Sequence, residues 1–171
     1  IAQRMQMAME HWEGGLRATG GALEPSKSFW FLVDFKWCQG EWSYSQEVPE
    51  PPHRLIVTDP NGHPHTLELL SVSEARRTLG VYLAIDGNNK KQLEIMREKA
   101  TEFRDKMKAG FLPKRLVRQA FATTISKSLE YPLLAITPSA KELHEAWSPA
   151  LTITLSKSGV MSTMARSVVY G

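Results

Sequence analysis

The chain has 171 residues, a formal net charge of +3 and a single cysteine, Cys38. One cysteine cannot form an internal disulfide, and no Cys/His cluster has ligand spacing, so neither a disulfide-rich secreted scaffold nor a structural zinc site is supported. No apolar run approaches the roughly 20 residues that a bilayer requires, so we expect a soluble intracellular protein, cytoplasmic or nuclear, with no membrane partner. The chain begins at Ile1 and ends in the strand-like residues 168–171, which leads us to expect a piece of a longer polypeptide.

Positive charge is concentrated in one segment. Residues 1–89 carry 7 Lys and Arg against 11 Asp and Glu, whereas residues 90–118 carry 10 against 4. Such a cluster is typical of a surface that meets phosphates, although a solvated lysine-rich helix face gives the same pattern.

The N-terminal part of the sequence predicts a helix followed by strands. Apolar residues recur every three to four positions over residues 3–18 and predict an amphipathic helix that ends at Gly20-Gly21. Alternating aromatic and branched residues over 29–37 predict one strand that is buried on at least one face. A returning strand at 42–44 completes the first hairpin.

A second hairpin follows the proline-rich residues 46–53, which we expect to form a loop. The flanking segments 54–58 and 65–70 surround Asn61-Gly62, a pair that tolerates the positive φ of tight turns. We expect both hairpins to lie on the surface. Residues 77–84 then predict a further strand with Gly80 inside it, and an internal glycine often marks a bulge or a close backbone approach.

The C-terminal part predicts helices. Asn88 or Asn89 caps a long helix whose apolar rhythm runs from Leu93 to Met107 and which Gly110 closes. Pro113 opens a second helix that ends at Tyr131-Pro132, and a shorter helix covers about 139–147, while 150–171 are ambiguous. The fold class is therefore α+β, with a small antiparallel sheet, a leading helix and two hairpins followed by a helical subdomain.

Familiar catalytic motifs are absent from the sequence. It contains no GxSxG, no HExxH and no Walker loop. His63 and His65 lie two residues apart without a third metal ligand nearby, and Asp34 is a lone carboxylate in a predicted strand. A self-contained active site is not expected.

Two segments, W-E-G-G-L-R-A-T-G-G-A-L-E-P-S-K at 12–27 and R-R-T-L-G-V-Y-L at 76–83, resemble consecutive motifs of retroelement reverse transcriptases. In that family a helix leads into a G-x-x-L-x-x-x-K segment, and a later strand forms part of the grip on the primer end. The helices after residue 88 are similar to the thumb of such enzymes. The resemblance implies that 1–87 are the C-terminal portion of the palm, with a hairpin insertion at about 37–70, and that 88–171 are a helical thumb-like subdomain.

The resemblance also implies a function, that of an RNA-directed DNA polymerase of a mobile element. Its partners would be an RNA–DNA or RNA template–primer duplex and the remainder of the polymerase palm and fingers. Such enzymes use two Mg²⁺ ions held by carboxylates, and the family's paired aspartates, in a Y-x-D-D hairpin, do not occur in this sequence. We therefore expect Mg²⁺ in the parent enzyme only, and a segment that binds no metal and is inactive alone.

One lysine is implied to be catalytic. In the family, a lysine at the position of Lys27 lies near the departing pyrophosphate as a proton donor or charge stabiliser. The alternative is an ordinary lysine that flanks a strand.

Nucleic-acid contacts are implied for the second motif and the long helix. Leu79 and Gly80 would let the backbone approach a primer sugar-phosphate, since glycine has no side chain; a bulge glycine is the alternative. Nearby basic residues would contact phosphates and position a duplex without reading its sequence. They are Arg76, Arg77, Lys90, Lys91, Arg97 and Lys99.

A hypothesis from another class is a domesticated, non-enzymatic fragment that acts as a protein-interaction or scaffold module. It predicts a self-associating aromatic sheet face around Trp37, Trp42 and Tyr44. A third possibility, an independent small enzyme, has no motif to support it.

Overall fold

The computed structural model describes residues 2–45 and 54–160, so the loop predicted at 46–53 and the C-terminal residues 161–171 lie outside the described residues. The chain divides into two compact units, Ile1–Glu74 and Ala75–Gly171. The sequence predicts a domain boundary after residue 87, whereas in the structure the first unit ends at Glu74 and the second begins at Ala75. Packing explains the difference, because Val81 is buried in the core formed by the helices that follow it.

The first unit combines one helix with short strands. Helix α1 spans Ala2–Ala18, and a 3₁₀ turn, Pro25–Lys27, precedes the first strand. The strands are β1 Phe29–Phe31, β2 Phe35–Cys38, β3 Glu41–Tyr44, β4 Ile56–Thr58, β5 Pro64–Thr66 and β6 Glu68–Leu70. They pair as two antiparallel hairpins, β2–β3 and β4–β5, and one parallel ladder, β1–β6.

Helix α1 ends at the two glycines, as predicted. Gly20 has a φ of 80°, a left-handed conformation that costs glycine little because it has no Cβ. The Gly21 N–H donates to the Leu16 carbonyl at 2.8 Å, and the Gly20 N–H donates to the Arg17 carbonyl at 3.0 Å. This Schellman pairing satisfies the last carbonyls of the helix.

The single strand predicted over 29–37 is wrong, because the structure contains two strands, β1 and β2. The Asp34 carboxylate lies between them and accepts a hydrogen bond from the Phe35 N–H at 2.9 Å. The Asp34 carbonyl accepts from the Ser45 N–H at 2.8 Å and so extends the β2–β3 hairpin, whereas β1 pairs with β6; the two segments therefore belong to different ladders. The aromatic residues of β2 are also not buried on one face, since Phe35 is 51% and Trp37 59% exposed.

The core of the first unit consists of Trp30, Leu55, Val57 and Leu67. The second hairpin contributes Val57, which is fully buried, so it is not confined to the surface as predicted. The Gln6 side chain of α1 donates to the Ile56 carbonyl at 3.0 Å and accepts from the Ile56 N–H at 2.9 Å. Helix α1 therefore satisfies backbone groups at an edge of β4.

The second unit begins with the antiparallel strands β7, Arg76–Thr78, and β8, Val81–Leu83. Its helices are α2 Lys90–Ala109, α3 Lys114–Ala120, α4 Lys127–Glu130 and α5 Ala140–Lys157. A π-helical segment, Phe121–Ser126, joins α3 to α4, and a 3₁₀ turn, Tyr131–Leu134, follows α4.

Helix α2 carries the predicted apolar stripe. Met96, Ala100, Phe103 and Met107 are buried, and α2 packs most extensively against α5. The Asn88 side chain accepts from the Lys90 N–H at 2.8 Å and so supports the helix start. The periodicity of three to four residues thus fixed the face that the helix buries.

The strand predicted over 77–84 is wrong, because it is the tight hairpin β7–β8. Gly80 does not interrupt a strand. Leu79 and Gly80 form the turn itself, and Thr78 pairs with Val81 across it. A two-residue turn lets both arms keep antiparallel hydrogen bonds, and it puts Val81 into the core.

Helix α5 is longer than the 139–147 predicted from the sequence, since it continues through Pro149 to Lys157. It begins with a capping box in which the Ser139 side chain accepts from the Glu142 N–H and the Glu142 carboxylate accepts from the Ser139 N–H. Hydrogen bonds from Ser139 lower the pKa of Glu142 below its ordinary value. Proline removes one helical hydrogen bond, and burial of Ala150 and Thr154 keeps the helix continuous.

The predicted α+β class with small antiparallel sheets is confirmed. The parallel β1–β6 ladder is an addition, and no tight turn fixes the direction of these strands because they are distant in sequence. Within residues 2–45 and 54–160, no helix is both long enough and apolar enough to cross a membrane.

Candidate nucleic-acid interface

Lys27, the candidate catalytic residue, ends the 3₁₀ turn before β1 and lies in the first unit. Glu24 caps this turn, and its carboxylate accepts from the Ser26 hydroxyl at 2.8 Å. Hydrogen bonds from Ser26, and to a smaller extent the Lys27 charge, lower the pKa of Glu24 below its ordinary value. The Lys27 side chain is exposed, so water screens its charge.

The tip of the β7–β8 hairpin is strained. Leu79 and Gly80 have φ values of 50° and 89°, and positive φ at both central residues defines a type I′ turn. Leucine in this region brings its Cβ close to the following carbonyl, at a cost of about 1–2 kcal/mol. Leu79 is 89% exposed, so burial of its side chain does not offset the strain.

Two hydrogen bonds hold this hairpin from opposite ends. The Tyr131 hydroxyl donates to the Leu79 carbonyl at 2.7 Å. The side-chain carbonyl of Gln92, a residue only 2% exposed, accepts from the Tyr82 N–H at 2.8 Å. The exposed tip is therefore fixed to the helices of the second unit.

The two arginines of β7 differ in exposure. Arg77 is exposed and pairs with Tyr82 across the hairpin, whereas Arg76 is half-buried opposite Leu83. Because Val81 is buried and neighbouring strand residues alternate in direction, Arg77 and Tyr82 lie on the outer face. The hairpin thus presents a cationic and an aromatic side chain side by side.

The four basic candidates of α2 do not share one face. Lys90 and Arg97 are about two turns apart and line the same pocket between α2 and α5. Lys99 is about two and a half turns from Lys90, so it lies on the opposite side of the helix. The structure therefore brings Lys90 and Arg97 together and separates Lys99 from them.

Two of these cations have carboxylate partners. The Lys91 ammonium lies 2.8 Å from the Glu94 carboxylate, which raises the pKa of Lys91 above its ordinary value; the charge of Glu98 adds to this effect. The Arg97 guanidinium lies 3.0 Å from the Glu145 carboxylate. In the part of the chain that the structure describes, Lys90 and Lys99 form no salt bridge.

The sequence predicts only a helix end at Tyr131-Pro132 and does not identify Tyr131 as a site residue. Its hydroxyl is nevertheless the group that holds the Leu79 carbonyl. Leu134, three residues later in the same 3₁₀ turn, is 90% exposed and falls on the same side of that turn as Tyr131. No sequence signal links Tyr131 to Leu79, because the two residues are 52 positions apart along the chain.

No metal centre can be built from the residues that the structure describes, because no group of three or more His, Cys, Asp or Glu is placed to hold an ion. Comparison of the chain with protein families, with curated proteins and with solved structures found no match.

Proposed function

We propose that this chain is the C-terminal palm and thumb portion of a retroelement reverse transcriptase, and that its second unit binds a template–primer duplex. The observation that carries the proposal is the β7–β8 tip, an exposed leucine held at positive φ by the Tyr131 hydroxyl. Strain that persists at an exposed position is typical of functional sites. Gly80 beside it has no side chain to keep a sugar-phosphate away.

The charge around the tip supports the same contact. Arg77 is exposed on the outer face of the hairpin, and α2, which contacts β8, begins with the exposed Lys90 and Lys91, of which Lys91 is paired with Glu94. Lys99 continues along the helix without a salt bridge among the described residues. Arginine and lysine contacts to phosphates position a duplex without reading its sequence.

The test is the binding of an RNA–DNA hybrid to the full chain, measured by fluorescence anisotropy. The salt concentration is varied from about 50 to about 200 mM, because phosphate contacts weaken steeply over this range. We expect the logarithm of the association constant to fall linearly with the logarithm of salt concentration. The double variant Arg77→Gln/Lys99→Gln should flatten the slope by about 2, since each lost phosphate contact contributes about 0.9.

The control variant is Lys127→Gln/Lys141→Gln, which removes the same charge from exposed positions on α4 and α5. It should leave the slope unchanged. Absence of binding at low salt, an affinity independent of salt, or an equal loss in both double variants would count against the proposal.

In this proposal Lys27 acts in the intact polymerase, with the Mg²⁺ ions held by a part of such an enzyme outside this sequence. Its exposed ammonium stabilises the departing pyrophosphate only where a bound substrate excludes water. Lys27→Ala in a polymerase that contains both portions should lower the rate of nucleotide addition and leave duplex affinity unchanged. A rate equal to that of the parent would remove Lys27 from the mechanism.

A second candidate function, a self-associating interaction module, is favoured by the exposed aromatic face of β2–β3. Phe35 pairs with Tyr44 and Trp37 with Trp42, with ring centroids 5.0 and 5.1 Å apart, all on one face. Trp37 is 59% and Trp42 68% exposed. Contiguous exposed apolar patches of this kind mark interaction sites.

Sedimentation distinguishes the two candidates. The module requires an oligomer that Trp42→Lys dissociates and that Arg77→Gln/Lys99→Gln leaves intact. A monomer at all accessible concentrations would exclude self-association through this face.

A further inference from the structure

A groove of about 630 Å³ runs between α2 and α5 in the second unit. Its α2 wall carries three basic side chains, Arg97, Arg104 and Lys108. Arg97 and Lys108, the outer two, are eleven positions apart on one helix, which is about 16 Å along the axis. A pocket of this volume is in the range that binds small molecules, and one wall of it is a row of cations.

Two contacts fix the walls of the groove. The Arg97 guanidinium lies 3.0 Å from the Glu145 carboxylate, and the Lys157 ammonium donates to the Gly110 carbonyl at 3.1 Å. Residue numbers increase along both helices between these contacts, so α2 and α5 run in the same direction. The groove therefore lies between two parallel helices that are joined by a side-chain contact near each end of the groove.

The α5 wall carries hydroxyl groups. Ser148, Thr152 and Ser156 recur every four residues and all line the groove. Among the described residues, these three side chains have no hydrogen-bond partner. Arginine, lysine, serine and threonine side chains are the groups that contact phosphate oxygens in proteins. A phosphate in the groove would meet cations on one side and hydroxyl donors on the other.

Among the described residues that line this groove, Glu145 is the only acidic one. Its carboxylate neutralises Arg97, while Arg104 is paired with the neighbouring Asp105 at 2.9 Å. Lys108 has no salt bridge within the described residues. A carboxylate that occupies an arginine fork takes the place that a phosphate oxygen would take.

We infer that the α2–α5 groove is a binding site for an anion with two or more successive phosphate groups, and that the Glu145 carboxylate competes with this ligand for Arg97. The length of the cationic wall exceeds one phosphate, which favours a chain of phosphates over a single one. The site lies on the opposite flank of α2 from Lys99, so it goes beyond the duplex contact proposed above.

The experiment is titration of the full chain with inorganic tripolyphosphate at low salt by isothermal calorimetry. Arg104→Gln/Lys108→Gln should weaken binding by about tenfold or more, because hydrogen bonds to charged groups are lost. Glu145→Gln should tighten binding by about two- to fivefold, since it releases Arg97 from an exposed ion pair. A gain of affinity cannot result from misfolding.

With the single variant Lys108→Gln as its counterpart, the control is Lys106→Gln, which removes one charge from α2 at a position that does not line the groove. It should leave tripolyphosphate affinity unchanged. The inference is overturned if the parent chain does not bind, if Glu145→Gln does not bind more tightly, or if an acidic peptide of equal charge binds as well as tripolyphosphate.

A competition arm identifies the source of the phosphates. If a short single-stranded oligonucleotide displaces tripolyphosphate and loses affinity in Arg104→Gln/Lys108→Gln, the ligand is a phosphodiester strand; if it does not displace, the ligand is a compact polyphosphate. Hybrid binding by the parent chain and by Arg77→Gln/Lys99→Gln is measured in parallel. If the parent chain binds the hybrid but not tripolyphosphate, the groove inference alone is refuted. If it binds tripolyphosphate but not the hybrid, the proposed function alone is refuted.

Discussion

The two units differ in how much of their apolar surface they bury. Within the described residues, the second unit has a continuous core that joins α2, α4, α5 and β8, whereas the first unit buries Trp30, Leu55, Val57 and Leu67. The first unit also exposes Trp37 and Trp42 on a two-stranded hairpin. A two-stranded hairpin alone is marginally stable, and cross-strand aromatic pairs compensate in part.

The same contrast separates the hairpins themselves. The β7–β8 hairpin is held by Tyr131 and Gln92 from the surrounding helices, while the β4–β5 turn is held by Asp59 from within. A binding surface that needs a fixed geometry is better supplied by the first arrangement. An exposed aromatic face that binds through apolar contacts tolerates variation in its geometry, so it is compatible with the smaller core of the first unit.

The most destabilising changes test the two cores with the same Leu→Ala substitution in each unit. Leu129→Ala, at a fully buried site in the second unit, should reduce the free energy of unfolding by about 3–5 kcal/mol, and Leu55→Ala in the first unit by about 2–3 kcal/mol. The first unit has fewer buried neighbours, so its cavity collapses more easily. Native-state hydrogen exchange reports each unit separately. Equal losses in both units would remove the contrast. Leu134→Ala, at an exposed site, is the control and should change little.

The next effect compares two turn glycines. Gly62 and Gly80 both have a φ of 89°, so Gly62→Ala and Gly80→Ala should each cost about 1–2 kcal/mol. A Cβ on Gly80 would contact the Tyr131 ring at 3.6 Å, an ordinary van der Waals distance, so no clash adds to the strain. Urea denaturation measures both. A much larger loss for Gly80→Ala would show that the Tyr131 contact is tighter than this distance implies.

A smaller and opposite effect is expected at Leu79. Leu79→Asn should stabilise the chain by about 0.5–1 kcal/mol, because Asn-Gly is the preferred type I′ pair. If the tip binds a duplex, the same variant should weaken hybrid affinity. Thermal unfolding and anisotropy are measured on one preparation. A variant that is more stable and binds as well as the parent would show that the strained leucine has no role in binding.

The smallest effect appears only in acid. The backbone N–H of His63 bonds to Asp59 and, with His65 and Asn61, lowers the pKa of Asp59 to about 2 from 3.8. A depressed carboxylate pKa stabilises the fold above the unfolded value and loses this contribution as pH falls from about 4 towards 2. The β4–β5 turn should therefore open in that window before β7–β8, which a hydroxyl holds. NMR shifts of His63 and Gly80 against pH test this, with Asp59→Asn as control. Simultaneous opening of the two hairpins would contradict the expected order.

Much of the fold followed from short-range patterns. The apolar rhythm of α2 and the glycine end of α1 are decided within a few residues, and both are confirmed. A hairpin also forms around Asn61-Gly62, with Gly62 at positive φ, but its loop covers residues 59–63 and the strand predicted at 65–70 divides into β5 and β6. The β7–β8 hairpin was missed because a Leu-Gly turn is strained and depends on Tyr131, which is distant in sequence. The strand break before Asp34 is not visible in the sequence because β1 pairs with β6, which lies far along the chain, whereas β2 pairs with β3.

Local patterns in the sequence were enough to place α1 and α2, the buried face of α2 and the basic segment. They did not predict the buried face of α1, where Trp12 is 63% exposed and Glu13 is buried. Tertiary structure decided that Lys90 and Arg97 face α5 while Lys99 faces away, that α5 continues through Pro149, and that hydroxyls oppose cations across one groove. These features differ because they depend on interactions of different range along the chain. Periodicity and capping act over one or two helical turns, whereas the pairing of distant surfaces depends on which contacts bury the most apolar area.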